Sequence, residues 1–457
     1  MQNNFYAIIP HHTGESILVL PTQGGWTIPL YHPKSSWTPQ VLHIIDGVKA
    51  QFGFQPAVRY TPHVQVERVE EKRYASAVYV MVAPPPDWAS PEGARWVTLE
   101  EFRALTLPDD WPRPHVDAYF AEEQSGTVPP LRPPWGRKGW YSDISSWAEC
   151  ELAKHNLSLL APLQQMKQWD ISSVLKGRTE GGDVYVKAIP TLFATEPRIT
   201  AGLARIFPGS VPEPLAIYER PNEGRLLLRD FGGKLLWDEG VESTAMEEAL
   251  RLLARMQIEC AGRTSGLLAI GCRDRRIQGL TDDLRSLLAD NRARARLTED
   301  EVERLQAVLP TIEQACAHLL SAPVPQTLLH GDFHGGNIAS TGAGYIIFDW
   351  TDACVCHPYF DLLTIVENEY EPIAEEKRER YLSTYLGEWE AAGYGSPQAL
   401  RETCNLALKI GPLYHAVSYW QIDRHGEQAM QAELGNSMAY FLRLTLSRLE
   451  TQQEVTL

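Results

Sequence analysis

The chain has 457 residues, 44% of them hydrophobic and 22% charged, a globular balance that needs no fibrous or disordered class. At about 100–200 residues per domain, the length suggests two or three domains and a sizeable core. The formal net charge of −16 repels a phosphate backbone and argues against nucleic acid as a partner.

The chain opens with MQNNFYAIIPHH, which lacks the basic and then apolar plan of a secretory signal, and no run of about 18 apolar residues occurs anywhere. No membrane partner and a cytoplasmic location are therefore expected. Residues 5–9, 17–20 and 75–82 read as strands, short and rich in β-branched or aromatic residues. Between them Val41, Leu42, Ile44, Ile45 and Val48 fit one face of a helix over 38–54. Another helix is expected from Glu100. The stretch TVPPLRPPWGRKGW at 127–140 reads as an interdomain connector, because repeated proline continues neither helix nor central strand. The expected domains are then 1–125, a linker at 126–144, and a second part divided into 145–235 and 236–457.

Beyond the linker a helix over 145–161 precedes strands at 183–189, 214–219 and 225–229. From about 243 the pattern becomes helical, with Thr244-x-x-Glu247 and Thr298-x-x-Glu301 as capping-box signatures. A strand-rich segment followed by a helix-rich one predicts an α+β fold in two lobes.

Chemistry concentrates in 328–363, LLHGDFHGGNIASTGAGYIIFDWTDACVCHPYFDLL. His330-x-Asp332-x4-Asn337 has the residue types and spacing of the protein-kinase catalytic loop, and Asp349 ends the strand-like run YIIFD. Phosphoryl transfer needs a carboxylate to take the proton of the attacking hydroxyl and oxygen ligands to hold magnesium on the nucleotide phosphates. Asp332 suits the first task; Asn337 and Asp349 are hard oxygen donors for the second. Gly331, Gly335 and Gly336 permit sharp turning around the base, and Gly342 and Gly344 the reversal toward Asp349. Cys354 and Cys356 sit inside this motif, and the odd, scattered set of seven cysteines predicts reduced thiols rather than a zinc site.

These residues resemble the aminoglycoside phosphotransferase and choline kinase family. HGDFHGGN is similar to its catalytic loop and IFDWTDACVCHPYFDLL to its metal-binding segment. The resemblance implies a bilobal protein-kinase-like domain, ATP as co-substrate with Mg2+, Asp332 as base, Asn337 and Asp349 as metal ligands, and His330 and Asp361 as structural support; Asp352 matches a further acid of open role. It also places Lys187, in VYVKAI, at the α- and β-phosphates, with Glu196 as its partner at a helix start where Pro197 is tolerated. Leu228, Arg229 and Asp230 in LLLRDFGG are similar to the hinge that bonds adenine, and Ser172–Gly177 with Gly181-Gly182 to the hairpin over the nucleotide.

Residues 1–125 faintly resemble a Nudix domain with Gly53 ending its box. On that alignment Gly47, Ala50 and Gln51 stand where metal-binding glutamates belong, so no Nudix hydrolysis is expected. An unrelated α+β domain is the alternative. The acceptor is expected to be a small hydroxylated molecule, with Glu367, Glu369, Glu371, Trp389, Tyr414, Trp420 and Asp423 as candidate determinants or, equally, a solvated face and packed core. A protein-directed kinase and a silent nucleotide-sensing module remain alternatives; the first lacks an A-P-E segment after Asp349.

Overall fold

A computed structural model describes residues 2–238, 244–367 and 373–450. The chain divides into two compact units, one comprising Met1–Ala194, Arg220–Asp230 and Asp423–Gly435, the other Thr195–Glu219, Phe231–Ile422 and Asn436–Leu457. This division differs from boundaries at 125, 144 and 235.

In the first unit, a four-stranded sheet runs in the order Leu30–Tyr31, Asn4–Ile8, Lys72–Met81, Val58–Val69. Asn4–Ile8 lies parallel to Lys72–Met81, with Phe5 opposite Ala77, and the other pairs are antiparallel. Strand side chains alternate between faces, and both faces are covered. Phe5, Ala7 and Tyr79 join one core with the helix Leu42–Phe52, while Tyr6, Ile8 and Val78 join another with Val116 and Phe120 of the helix Arg113–Ser125. That double burial explains the uninterrupted apolar run FYAII. Leu42–Phe52 stops at Gly53, whose φ of 75° is the left-handed cap glycine tolerates best. The helix expected from Glu100 is Leu99–Ala104, started by a Thr98–Glu101 capping box. Val58–Val69 was not predicted: Pro62 and many polar residues interrupt the pattern, and its register shifts between Tyr60 and His63 show how the sheet absorbs the proline.

The proline-rich stretch is no exposed tether. Trp135 in the short 3-10 turn Pro134–Gly136 is 1% exposed, and Arg132 is ion-paired to Glu122 at 2.8 Å and to Glu427 at 2.7 Å. The helix Trp140–Lys154 then leads to the antiparallel strands Gln164–Trp169, Ser172–Thr179, Gly182–Pro190 and Glu223–Arg229. Ser172–Thr179 and Gly182–Pro190 form the hairpin expected around Gly181-Gly182.

The second unit is built mainly of helices packed on one large core, including Ala245–Cys260, Leu309–Ser321, Glu375–Ala391 and Pro397–Arg424. The Thr298–Glu301 capping box forms, whereas Thr244 makes no side-chain cap bond: its own backbone is already helical, so its hydroxyl is not presented to the first turn. Two small sheets carry the chemistry-bearing segment. Thr327–Leu329 and Arg273–Asp274 flank Cys354–Cys356, and Ile338–Thr341 pairs with Gly344–Ile347, which are the reversal expected at Gly342 and Gly344.

Candidate active site

The strand Thr327–Leu329 delivers His330, Gly331 and Asp332 into a loop braced from below by one carboxylate. Asp361, 1% exposed, accepts backbone N–H bonds from His330 at 2.9 Å and Gly331 at 2.7 Å, and a side-chain bond from Gln257 at 2.9 Å. Burial raises its pKa to about 7, against the pull of those three donors. Gly331 adopts a φ of 86°, and a Cβ there would meet Asp352 at 2.8 Å, so the loop turns where only glycine fits.

His330 is fully buried, and burial lowers its pKa, so the ring is neutral near pH 7. Its Nε2 donates to the Phe348 carbonyl at 3.0 Å and its Nδ1 accepts the Asp332 N–H at 3.3 Å, tying the loop to the residue before Asp349. Phe348 N–H donates to the Asn337 carbonyl at 3.0 Å, which sets the two segments side by side.

The Asp332 side chain keeps 48% of its surface open although packed atoms surround the loop. Asn337 Nδ2 donates to its carbonyl at 2.9 Å and to its Oδ2 at 3.1 Å, and His334 Nε2 lies 3.4 Å from the same oxygen. The crowding disfavours its charge, but the His334 hydrogen bond and charge outweigh that and hold the carboxyl below its ordinary pKa. Both Asn337 bonds use the amide nitrogen, which leaves the amide oxygen for another partner.

Asp349 has φ 62° and ψ 61°, a left-handed conformation uncommon for a non-glycine residue and a frequent mark of functional sites. Thr351 Oγ1 donates to Glu196 Oε2 at 2.8 Å and lies 2.5 Å from Asp349 Oδ1. Glu196 is the first residue of the helix Glu196–Ile206, with Pro197 in its first turn, and is 2% exposed. Asp352 accepts from Arg273 Nη2 at 3.0 Å, and burial raises its pKa despite that cation. The nucleotide-side candidates of the first unit sit on paired strands. Lys187 faces Leu226 and Val174, Leu228 faces Tyr185, Arg229 faces Val184, and Asp230 N–H donates to the Asp183 carbonyl at 2.9 Å.

Trp237 escaped the sequence reading. It is 68% exposed, yet its indole lies parallel to the His334 ring at 4.4 Å, and a Cβ on Gly335 or Gly336 would collide with it. The paired glycines were the available signal, since two adjacent small residues in a loop ask what lies against them. Of the residues weighed as acceptor determinants or as packed core, Trp389, Tyr414 and Trp420 belong to the core. Trp389 and Tyr414 are buried, and Trp420 Nε1 donates to Asp290 at 3.0 Å. Glu367 is paired with Arg448, and Glu369 and Glu371 lie outside the described residues. Cys354 and Cys356 are buried thiols, their pKa values pushed up by burial, and among the described residues no three His, Cys, Asp or Glu side chains gather as a metal cage. A hard cation held by one amide oxygen, one carboxylate and a ligand's phosphates fits the donors at Asn337 and Asp349 better than zinc does.

The fold is mixed α/β and kinase-like. Residues 193–400 match the family model described as the phosphotransferase enzyme family, whose members act on hydroxyl groups of small molecules. None of the curated proteins compared with the chain matches it. Similar solved structures include a macrolide 2'-phosphotransferase type I, 16% identical, covering 66% of this chain and 96% of its own, with a TM-score of 0.44. A putative aminoglycoside phosphotransferase from Ralstonia eutropha is 18% identical, covers 68% and 98%, and has a TM-score of 0.43. An ethanolamine kinase from Plasmodium vivax is 10% identical, covers 77% and 97%, and has a TM-score of 0.47. Among the described residues, no helix is long and apolar enough to cross a membrane.

Proposed function

We propose that this protein transfers the γ-phosphoryl group of ATP to a hydroxyl of a small molecule of the amino-alcohol, sugar or aminoglycoside type. The observation that carries the reading is the single loop in which Asp332, oriented by Asn337 and His334, is braced by Asp361 and tied through His330 to the segment bearing Asp349. Asp332 accepts the acceptor's hydroxyl proton while that oxygen bonds to the γ-phosphorus, and the bond from γ-phosphorus to the β-bridging oxygen breaks to release ADP. Asn337 and Asp349 hold Mg2+, which when bound neutralises charge on the nucleotide phosphates. Lys187 serves the α- and β-phosphates with Glu196 as support of the nucleotide site, and Leu228, Arg229 and Asp230 form the adenine hinge. The N-terminal residues are read as a degenerate Nudix-like domain: Gly47, Ala50 and Gln51 of the helix Leu42–Phe52 bear no carboxylate for a metal.

The test is thermal shift with Mg-ATP, followed by ADP release across amino-alcohols, sugars and aminoglycosides. Stabilisation by Mg-ATP with no turnover on any hydroxyl would favour a silent nucleotide-sensing module. Chelating the metal, or Asp349→Ala, is expected to abolish both ATP stabilisation and turnover; activity unchanged in EDTA would remove magnesium from the scheme. Trp237→Ala is expected to raise the acceptor KM about 3- to 10-fold with a smaller change in kcat, since an aromatic contact contributes roughly 0.5–1.5 kcal/mol. Steady-state kinetics in both substrates checks this, and a change confined to the ATP KM would assign the indole to the nucleotide instead.

A further inference from the structure

The proline-rich segment that reads as a linker forms one wall of a cavity of about 270 Å3 within the first unit. The other walls come from the segments that follow Asn4–Ile8 and Lys72–Met81, the start of Val58–Val69 and the helix Arg113–Ser125. Its lining includes Arg59, Arg137, Lys138, His11 and His12 and contains no Asp or Glu, in a chain whose net charge is −16. Arg59 and Lys138 both pair with Glu123, so that trio carries one net positive charge; Arg137, with no ion pair among the described residues, adds another.

Two independent features add unmet hydrogen-bond donors to this excess of two charges. The helix Trp140–Lys154 begins at the cavity, with Gly139, Tyr141 and Ser142 in the lining, and no side chain caps its N-terminus. Its one first-turn acid, Asp143, is engaged by Arg225. Deeper in the wall, Arg59 Nε, Tyr119 Oη and Trp135 Nε1 are buried and lack hydrogen-bond partners among the described residues, on side chains whose residues are 7%, 2% and 1% exposed. An adjoining groove of about 770 Å3 shares Gly14 and Lys138 but carries Glu15, Glu100 and Glu123, so its charge balance is different.

We propose that this cavity binds a phosphate monoester as its dianion, seated at the start of Trp140–Lys154 between Arg137 and Lys138. The organic part of the ligand lies on Val58, Val82 and the rings of Tyr119 and Trp135. Two net positive charges match a dianion, and a helix N-terminus with unmet donors suits its three terminal oxygens.

The experiment uses the full chain without nucleotide or magnesium, with phenyl phosphate as the probe and benzoate as its monoanionic counterpart, by titration calorimetry. Wild-type protein and Asp349→Asn are expected to bind phenyl phosphate alike, with benzoate at least 10-fold weaker, and R137E/K138E is expected to lose at least 10-fold. Both replaced residues are exposed, and Arg137→Ala alone, expected to lose about 3-fold or more, serves if the double variant misfolds. Absence of binding to wild type would overturn the proposal. So would binding that disappears in Asp349→Asn but survives in R137E/K138E, which would place the phosphate in the kinase-like site, or benzoate binding as tightly as phenyl phosphate.

Discussion

Asp332→Asn is expected to lower kcat about 10²- to 10⁴-fold while the affinity for Mg-ATP changes by no more than a few-fold. The amide keeps the shape of the carboxylate and can still accept from Asn337 Nδ2, which lies 3.1 Å from Oδ2, so the loop should hold its form. What disappears is the acceptor of the hydroxyl proton. Because His334 holds the Asp332 carboxyl below the ordinary carboxylate range, the base is ionised throughout the neutral region. No loss of activity between pH 8 and pH 5 should therefore trace to its protonation. A base of such low proton affinity suits a loose transfer in which orientation of the hydroxyl matters more than full proton removal. Steady-state ADP release and direct nucleotide titration on the same preparation check the split. Nucleotide affinity collapsing with kcat preserved would contradict the assignment of Asp332.

The candidate loop and its contacts were legible because they are local. His330, Asp332, Asn337 and Asp349 lie within twenty residues, and backbone bonds such as Phe348 N–H to the Asn337 carbonyl follow from the glycine-permitted reversal between two short strands. Long-range consequences were not legible. Trp237 reaches His334 across about a hundred residues, Arg273 meets Asp352 across 79, and no periodicity encodes either pairing. Composition misled most at 127–140: prolines forbid regular structure, as expected, but irregular backbone can still be buried, and Trp135 and Arg132 anchor it in the first unit. In the same way the aromatic residues Trp389, Tyr414 and Trp420, equally suited by type to an amine site or a core, were resolved only by their burial.

Removing the brace under the loop should be as costly to folding as removing the base is to turnover. Asp361→Ala strands the buried N–H groups of His330 and Gly331 and the amide of Gln257; at roughly 1–3 kcal/mol for each unmet donor, a loss of about 3–9 kcal/mol is expected. The pH dependence distinguishes the brace from simple packing. In the folded state the Asp361 carboxyl titrates at about 7, well above its value in an unfolded chain, so the folded protein binds the extra proton between about pH 4 and pH 7. The stability supplied by that protonated group is complete below about pH 4 and declines as pH rises through 7. Asp361→Asn, neutral at every pH, lacks this decline. Its deficit relative to wild type should accordingly be largest near pH 4.5 and shrink toward pH 8 when nucleotide-free unfolding of both proteins is followed in parallel. A deficit that instead grows with pH would show that the three donors keep Asp361 ionised in the folded state, and that the loop rests on a buried charge rather than a buried acid.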